Sequence, residues 1–189
     1  FARGIEEATI QLAHPRTSEE QGCNLLFKRE FRDPENDRPR YRMMTCRKCG
    51  ELYFEAFEKG MRIVPEHAGQ GWRRSVFWLK PKETHVLPSD STEQEAEART
   101  APQAVFINLE TGCLRDALDD AEEVSSWVMT HRARMEKPSE EEVEINANAP
   151  ARVTICQACG AQDRREIITP FHPGDQALSA TICEVLYAH

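Results

Sequence analysis

Two short cysteine motifs constrain this chain more than any other feature. The first is Cys46-Arg47-Lys48-Cys49-Gly50, and the second, far along the chain, is Cys156-Gln157-Ala158-Cys159-Gly160. Two thiolates at this spacing on a tight turn can occupy one edge of a zinc tetrahedron. The glycine that follows accepts a left-handed backbone conformation that other residues resist. Two such turns supply four sulfurs and leave no open coordination position. The sequence therefore predicts one structural zinc ion with four ligands, Cys46, Cys49, Cys156 and Cys159.

The long separation of the two pairs leaves alternatives open. A compact zinc ribbon places its second pair roughly 15–20 residues after the first, whereas segment 50–155 intervenes here. Loop-closure entropy grows only logarithmically with length, so the two turns can still meet in space. The alternatives are two unrelated turns with buried thiols, or a redox dithiol. Redox motifs usually open a helix after a strand, whereas residues 41–45 and 51–55 look extended.

Other cysteines and histidines are weaker ligand candidates. Cys23 is expected to be a small buried thiol, because the two pairs already fill four positions. His67 and His172 are candidate substitute ligands, but the six histidines do not cluster at ligand spacing. The chain also lacks a glycine-rich phosphate loop with lysine, a His-Glu-x-x-His motif and a nucleophile elbow. We therefore expect no independent catalytic site in this segment.

Composition indicates a small core in a reducing compartment. With 40% hydrophobic and 30% charged residues, a chain of this kind commonly depends on a metal for stability. Seven cysteines form an odd set, and no signal peptide precedes them, which favours the cytoplasm over a disulfide framework. No apolar run approaches the length of a membrane span. The first residue is Phe1, and the chain is interpreted as a piece of a larger protein.

Charge is unevenly distributed. The net charge of −8 argues against a protein that coats nucleic acid generally. Basic residues nevertheless outnumber acidic ones between Lys28 and Lys48, whereas 83–144 is strongly acidic. A local basic face beside the zinc site is one interpretation, and a solvated mixed-charge loop around 33–37 is the other. The residues that would contact DNA phosphates are Arg40, Arg42, Arg47 and Lys48.

Hydrophobic periodicity indicates mostly short strands. Residues 41–57 are predicted to form a β-hairpin with the first cysteine pair at its tip, one face packed and the other partly exposed. Further strands are predicted at 75–79, 104–108 and 165–169. Residues 115–136 favour a helix from the spacing of Leu118, Ala121, Val124, Val128 and His131, although 125–130 fits a strand equally well. A helix over 177–188 follows Asp175 as N-cap.

These elements predict an α+β fold: a small β-rich, zinc-ribbon-like module with a long insertion and a C-terminal helix. We expect a single module over 1–189, with metal-binding segments at 41–57 and 152–169. The insertion covers 60–150. Within it, 88–102 and 137–150 are polar, acidic and predicted to be flexible loops.

Three stretches together resemble a known family. Residues 43–55, around the first cysteine pair, resemble a zinc-binding segment of large bacterial DEAD/DEAH-box superfamily-2 helicases, which are related to the mitomycin repair factor and to helicases of antiphage defence islands. Residues 155–160 fit the same segment. Residues 171–179, Phe-His-Pro-Gly-Asp-Gln-Ala-Leu-Ser, resemble the stretch that leads into the second RecA-like domain.

The resemblance implies a segment that interrupts the helicase motor between its two RecA-like halves. ATP and Mg²⁺ would bind only in the parent motor, outside this segment, and only the four cysteines carry over as site residues. The implied partners are the flanking RecA-like domains, DNA and a defence-system protein, with no membrane. The expected function is a zinc-stabilised accessory module of an ATP-dependent DNA helicase or translocase in antiphage defence or DNA repair. The alternatives are a protein-docking module and a stand-alone zinc-ribbon factor in transcription or RNA processing.

Overall fold

The computed structural model describes residues 8–13, 23–26, 29–79, 103–118, 126–138 and 150–171. Within these ranges, ten strands form one antiparallel sheet. The strands are β1 (Thr9–Leu12), β2 (Cys23–Leu26), β3 (Arg40–Cys46), β4 (Leu52–Glu58), β5 (Ile63–Val64), β6 (Arg73–Trp78), β7 (Gln103–Asn108), β8 (Leu114–Arg115), β9 (Trp127–Arg132) and β10 (Ile168–Pro170).

The sheet curls back on itself. Its strand order is β2-β1-β3-β4-β6-β9-β7-β8, with β10 paired to β3 and β5 paired to β4. The backbone around β5 also meets the backbone that precedes β8. The Ile63 N–H donates to the Gly112 carbonyl at 2.8 Å, and the Leu114 N–H donates to the Met61 carbonyl at 2.8 Å. These bonds close a ring that runs from β4 through β6, β9, β7 and β8 to β5.

The main hydrophobic core lies on one face of this curled sheet. Phe54 of β4 is at its centre, with ring centroids 5.1 Å from both Tyr41 of β3 and Phe77 of β6. All three rings are fully buried. Side chains alternate along a strand, so every second residue of β3, β4 and β6 points to this face. Burial of these large rings is a main source of the stability of the sheet.

A second, smaller core covers the opposite face. Here Met44, Tyr53 and Trp78 pack against residues 153–168, which carry the second cysteine pair. The expectation of a partly exposed second face on the hairpin is therefore wrong. Tyr53 is 0% exposed and Glu55 is 5% exposed, because the chain around the second pair folds over that face.

The hairpin predicted over 41–57 is confirmed by the pairing of β3 with β4. The strands predicted at 75–79 and 104–108 correspond to β6 and β7. The strand predicted at 165–169 is observed as β10, which begins at Ile168.

The predicted α+β fold class is wrong. The described residues form a β-sheet and contain no α-helix. The helix favoured over 115–136 is replaced at its C-terminal end by β9, which pairs with β6 on one side and β7 on the other. The helix predicted over 177–188, the loop 88–102 and nearly all of the loop 137–150 lie outside the described residues. Within the described part of the chain, no helix has the length and apolar character needed to cross a membrane.

Candidate metal centre

The first cysteine pair lies on the turn between β3 and β4. Cys46 is the last residue of β3, and its N–H donates to the Glu51 carbonyl at 3.0 Å. The Gly50 N–H donates back to the Cys46 carbonyl at 2.9 Å, and Gly50 has a φ of 78°. The Lys48 N–H points at Cys46 Sγ from 3.4 Å. The turn thus has the left-handed glycine that the sequence predicts, and it directs a backbone donor at a sulfur.

The second pair repeats this backbone arrangement. The Cys156 N–H donates to the Ala161 carbonyl at 2.9 Å, and the Gly160 N–H donates to the Cys156 carbonyl at 2.9 Å. Gly160 has a φ of 70°. In both turns the first cysteine is buried and the second is exposed. We call the two turns, residues 46–50 and 156–160, the first and second knuckles.

Backbone pairing brings the second knuckle to the first. β10 pairs antiparallel with β3, so that Ile168 lies opposite Cys46. The Arg47 N–H donates to the Ile167 carbonyl at 3.0 Å, and the Ile167 N–H donates to the Val153 carbonyl at 2.9 Å. The chain leaving the second knuckle is therefore bonded to β3 and the first knuckle, and the chain leading into it is bonded to that same segment through Val153.

A network of partly buried ion pairs also holds the segment around the second cysteine pair against the sheet. Arg74 of β6 forms ion pairs with Glu55 of β4 and, at 2.6 Å, with Glu166 after the second knuckle. It also donates to the Ala151 carbonyl at 3.0 Å. Glu55 has a second partner in Arg42, at 2.9 Å. A nearly buried carboxylate needs such partners, and here they attach both ends of the segment 151–166 to the sheet.

The four knuckle sulfurs converge on one point. The Sγ atoms of Cys46, Cys49, Cys156 and Cys159 all lie within 4.8 Å of one another. Cys49 Sγ and Cys156 Sγ, from different knuckles, are 3.8 Å apart. A tetrahedron with zinc–sulfur bonds of about 2.3 Å has edges of about 3.8 Å. The four residues therefore fit a metal ion, whereas a disulfide needs a sulfur–sulfur distance of about 2.05 Å.

This convergence decides between the alternatives for the cysteines. Two unrelated turns with buried thiols are excluded, because the sulfurs of both turns form one group. The first pair also lacks the helix that usually follows a redox motif, since β4 begins at Leu52 directly after the turn. The arrangement can hold a metal ion with four sulfur ligands and no open coordination position.

The surroundings act differently on the individual thiols. Burial raises the pKa of Cys46 and of Cys49 above the ordinary thiol value. Burial also acts to raise the pKa of Cys156, but the Tyr53 hydroxyl and the backbone N–H groups of Cys159 and Ala158 outweigh it and lower that pKa. A cation among the sulfurs would offset the cost of negative charge on the buried Cys46 and on Cys49, which is exposed but partly desolvated.

Of the other cysteines and histidines that the structure describes, His67 and Cys113 lie outside the group. The ring of His67 packs edge-on against Phe57, and its Nδ1 accepts the Gly69 N–H at 3.3 Å. Cys113 lies where β5 meets the turn before β8, and its backbone forms an antiparallel β-bridge with that of Arg62. The side chain of Cys23 and the whole of His172 lie outside the described residues.

The predicted DNA-contacting residues fall into two pairs. Arg40 is buried and forms ion pairs with Glu30 at 2.7 Å and Asp33 at 3.0 Å. Arg42 pairs with Glu55. Arg47 and Lys48 are exposed on the first knuckle, and neither forms an ion pair with any described residue. Only the second pair thus presents its charge to solvent beside the metal centre.

Sequence reasoning missed three residues that support the site: Tyr53, Arg74 and Glu166. Tyr53 Oη lies 3.3 Å from Cys156 Sγ, although the two residues are 103 positions apart. No local pattern could have paired them. The only available signal was a tyrosine placed soon after Cys49 on the strand that leaves the knuckle.

The fold and the site define a β-sheet protein with a four-cysteine candidate metal centre. A family model described as the YjiV N-terminal domain matches residues 25–172, well over half of the chain. The chain therefore belongs to the YjiV N-terminal domain family. The match includes both knuckles. Comparisons with curated proteins and with solved structures gave no match.

Proposed function

We propose that the four cysteines hold one structural zinc ion, and that this module is an accessory part of an ATP-dependent DNA helicase or translocase acting in antiphage defence or DNA repair. The convergence of four sulfurs from two distant knuckles carries the metal part of the proposal. Thiolate ligands favour zinc over hard cations such as Mg²⁺ and Ca²⁺. Four protein ligands leave no position for substrate, which is typical of structural zinc sites.

The zinc ion would lock two distant parts of the chain together. Residues 51–155 leave the first knuckle and return at the second, so one ion fixes both ends of this segment. In small domains a structural zinc contributes on the order of 10 kcal/mol to folding. The ion pairs of Arg74 and the pairing of β10 with β3 act at the same junction. Metal loss is therefore expected to loosen the second knuckle and the sheet face beneath it.

The helicase part of the proposal has separate support, from the resemblance of residues 43–55, 155–160 and 171–179 to zinc-bearing helicases. In this account the flanking RecA-like domains bind ATP and Mg²⁺, and the zinc module holds its shape between them. A cytoplasmic location and a defence-system partner belong to the same account. Arg47 and Lys48 would contact DNA phosphates beside the metal centre, because their charges face solvent.

Elemental analysis of the purified protein tests the metal part. We expect one zinc per chain in the wild type and loss of zinc in Cys46→Ser and Cys156→Ser. Cys113→Ser is the matched control, because Cys113 is a free cysteine outside the group, and it should retain the metal. A wild type without zinc, or equal zinc in all the variants, would contradict the proposal.

DNA-stimulated ATP hydrolysis by the full-length protein that contains this module tests the helicase part. An intact protein without such activity would contradict that part and leave the zinc claim standing.

The DNA contact is tested on the same protein with Arg47→Gln/Lys48→Gln. Each lost phosphate contact reduces the slope of log affinity against log salt by about 0.9 on duplex DNA, so the expected reduction is about 1.8. The control, Arg134→Gln/Lys137→Gln, removes two exposed cations from another segment and should leave the slope unchanged. If the two variants have equal slopes of log affinity against log salt, Arg47 and Lys48 do not contact DNA phosphates.

A further inference from the structure

The hydroxyl of Tyr53 lies directly against the candidate metal centre. Tyr53 projects from β4 and is 0% exposed. Its Oη is 3.3 Å from Cys156 Sγ and accepts the Gln157 N–H at 3.1 Å. Both partners belong to the second knuckle, whereas Tyr53 itself follows the first. One hydroxyl group therefore connects the two halves of the site.

The chemistry of the partners fixes the direction of the hydrogen bonds. A tyrosine hydroxyl carries one proton, and it can also accept hydrogen bonds on its oxygen. The Gln157 N–H can only donate, so the Tyr53 oxygen is the acceptor there. A cysteine sulfur bound to zinc is a thiolate and has no proton. In the metal-loaded site the hydroxyl proton must therefore point at Cys156 Sγ.

We propose that Tyr53 is a positioning residue of the metal centre, whose hydroxyl donates a hydrogen bond to the Cys156 thiolate and holds the second knuckle against β4. This inference rests on the proposed zinc site. It assigns a specific role to a side chain that does not itself bind the metal. Hydrogen bonds to a metal-bound sulfur withdraw charge from it and fix its orientation. Loss of such an outer-shell partner typically weakens metal binding by about 10–100-fold.

A second buried tyrosine, Tyr41, differs from Tyr53 in the surroundings of its hydroxyl group. Tyr41 lies on the neighbouring strand β3 and is also 0% exposed. Its hydroxyl is buried and has no hydrogen-bond partner among the described residues. A buried hydroxyl is unfavourable unless it is hydrogen-bonded. Among the described residues, both hydrogen-bond partners of the Tyr53 hydroxyl belong to the second knuckle. Tyr41 therefore provides a matched control for removal of a buried tyrosine hydroxyl.

The test compares Tyr53→Phe with Tyr41→Phe and the wild type. Each substitution removes one oxygen and keeps the ring, so the packing volume hardly changes. Zinc affinity is measured by competition with a chromogenic chelator, and the sulfur-to-cobalt charge-transfer band is recorded after Co²⁺ substitution. We expect Tyr53→Phe to bind zinc at least about tenfold more weakly and to shift the band. Tyr41→Phe should match the wild type in both measurements.

The possible outcomes separate this inference from the proposed function. If the wild type binds zinc and the two variants have equal affinities and equal spectra, the role of Tyr53 is refuted and the zinc site stands. If the wild type binds no zinc, the proposed function fails and this inference fails with it.

A measurement on the wild type covers the case in which Tyr53→Phe does not fold. In protein loaded with NMR-active cadmium, the Tyr53 hydroxyl proton should show scalar coupling to the metal through the Cys156 sulfur. A resolved hydroxyl resonance without that coupling, or a hydroxyl proton that exchanges as fast as that of an exposed tyrosine, would overturn the proposal.

Discussion

Gly112 offers the sharpest test of how the sheet closes. Its φ is 68°, and its carbonyl accepts the Ile63 N–H at 2.8 Å. A Cβ atom at this position would lie 2.5 Å from the Ile63 carbonyl oxygen and 3.3 Å from the Tyr41 hydroxyl. The nearest obstacle is a backbone atom, which cannot rotate away as a side chain can. Gly112→Ala should therefore strain the backbone and also separate β5 from the turn before β8.

The expected destabilisation follows from three terms. The left-handed conformation costs a non-glycine residue roughly 1–2 kcal/mol. Displacement of the Ile63–Gly112 hydrogen bond removes about 0.5–1.5 kcal/mol. The lower entropy of an alanine in the unfolded chain offsets about 0.4–1 kcal/mol. The net effect is a loss of about 2 kcal/mol in the free energy of unfolding.

The assay is urea unfolding of the zinc-loaded protein. Gly60→Ala is the matched control, because Gly60 has a φ of 60° and no neighbouring atom within 4 Å of the position of the added Cβ. That variant should lose about 1 kcal/mol or less, from backbone strain alone. If Gly112→Ala is no less stable than Gly60→Ala, the close approach between the turn and β5 does not stabilise the protein, and the ring closure is refuted.

Two further predictions concern the metal centre and its support. Arg74→Met removes one partner of the nearly buried Glu55 and frees the second knuckle from β6, so the free energy of unfolding should fall by about 3 kcal/mol. The control is Arg73→Met, because Arg73 is exposed on the same strand. Equal urea midpoints for the two variants would contradict the role assigned to Arg74. Because burial raises the pKa of the Cys46 and Cys49 thiols, protons should compete with zinc as the pH falls. Affinity measured with a competing chelator should weaken by at least about tenfold per unit of acidification, and a pH-independent affinity would contradict this reasoning.

The two cysteine turns and the strand after the first could be predicted from the sequence, because neighbouring residues determine each of them. Each cysteine pair with its following glycine specifies its own turn, and both turns have the expected left-handed glycine at Gly50 and Gly160. Alternation in residues 52–55 likewise predicted the strand after the first knuckle. The meeting of the knuckles could be inferred only from chemistry, since two thiolate pairs make one complete zinc site.

The remaining features depend on contacts between distant residues. Glu55 looked like a solvent-facing position, but it is buried because Arg74 pairs with it and the segment around the second knuckle covers it. Nothing near Glu55 in the sequence identifies either partner. The contact of Tyr53 with Cys156 is hidden in the same way.

The error over 115–136 also has a physical cause. Trp127 and Val128, adjacent in β9, are both buried, whereas Met129, which follows them, is 56% exposed. Such a strand lacks the polar–apolar alternation of a half-exposed strand. The apolar residues then happened to fall at helical spacing. The β-rich signal at 125–130 was correct, and pairing with β6 and β7 outweighed the helical pattern.

X-ray absorption at the zinc edge of the purified, metal-loaded protein tests the central claim most directly. We expect a single zinc site with four sulfur neighbours at about 2.3 Å and no oxygen or nitrogen ligand. A first shell with fewer than four sulfurs, or a shell containing oxygen or nitrogen, would contradict the claim that Cys46, Cys49, Cys156 and Cys159 together hold one structural ion.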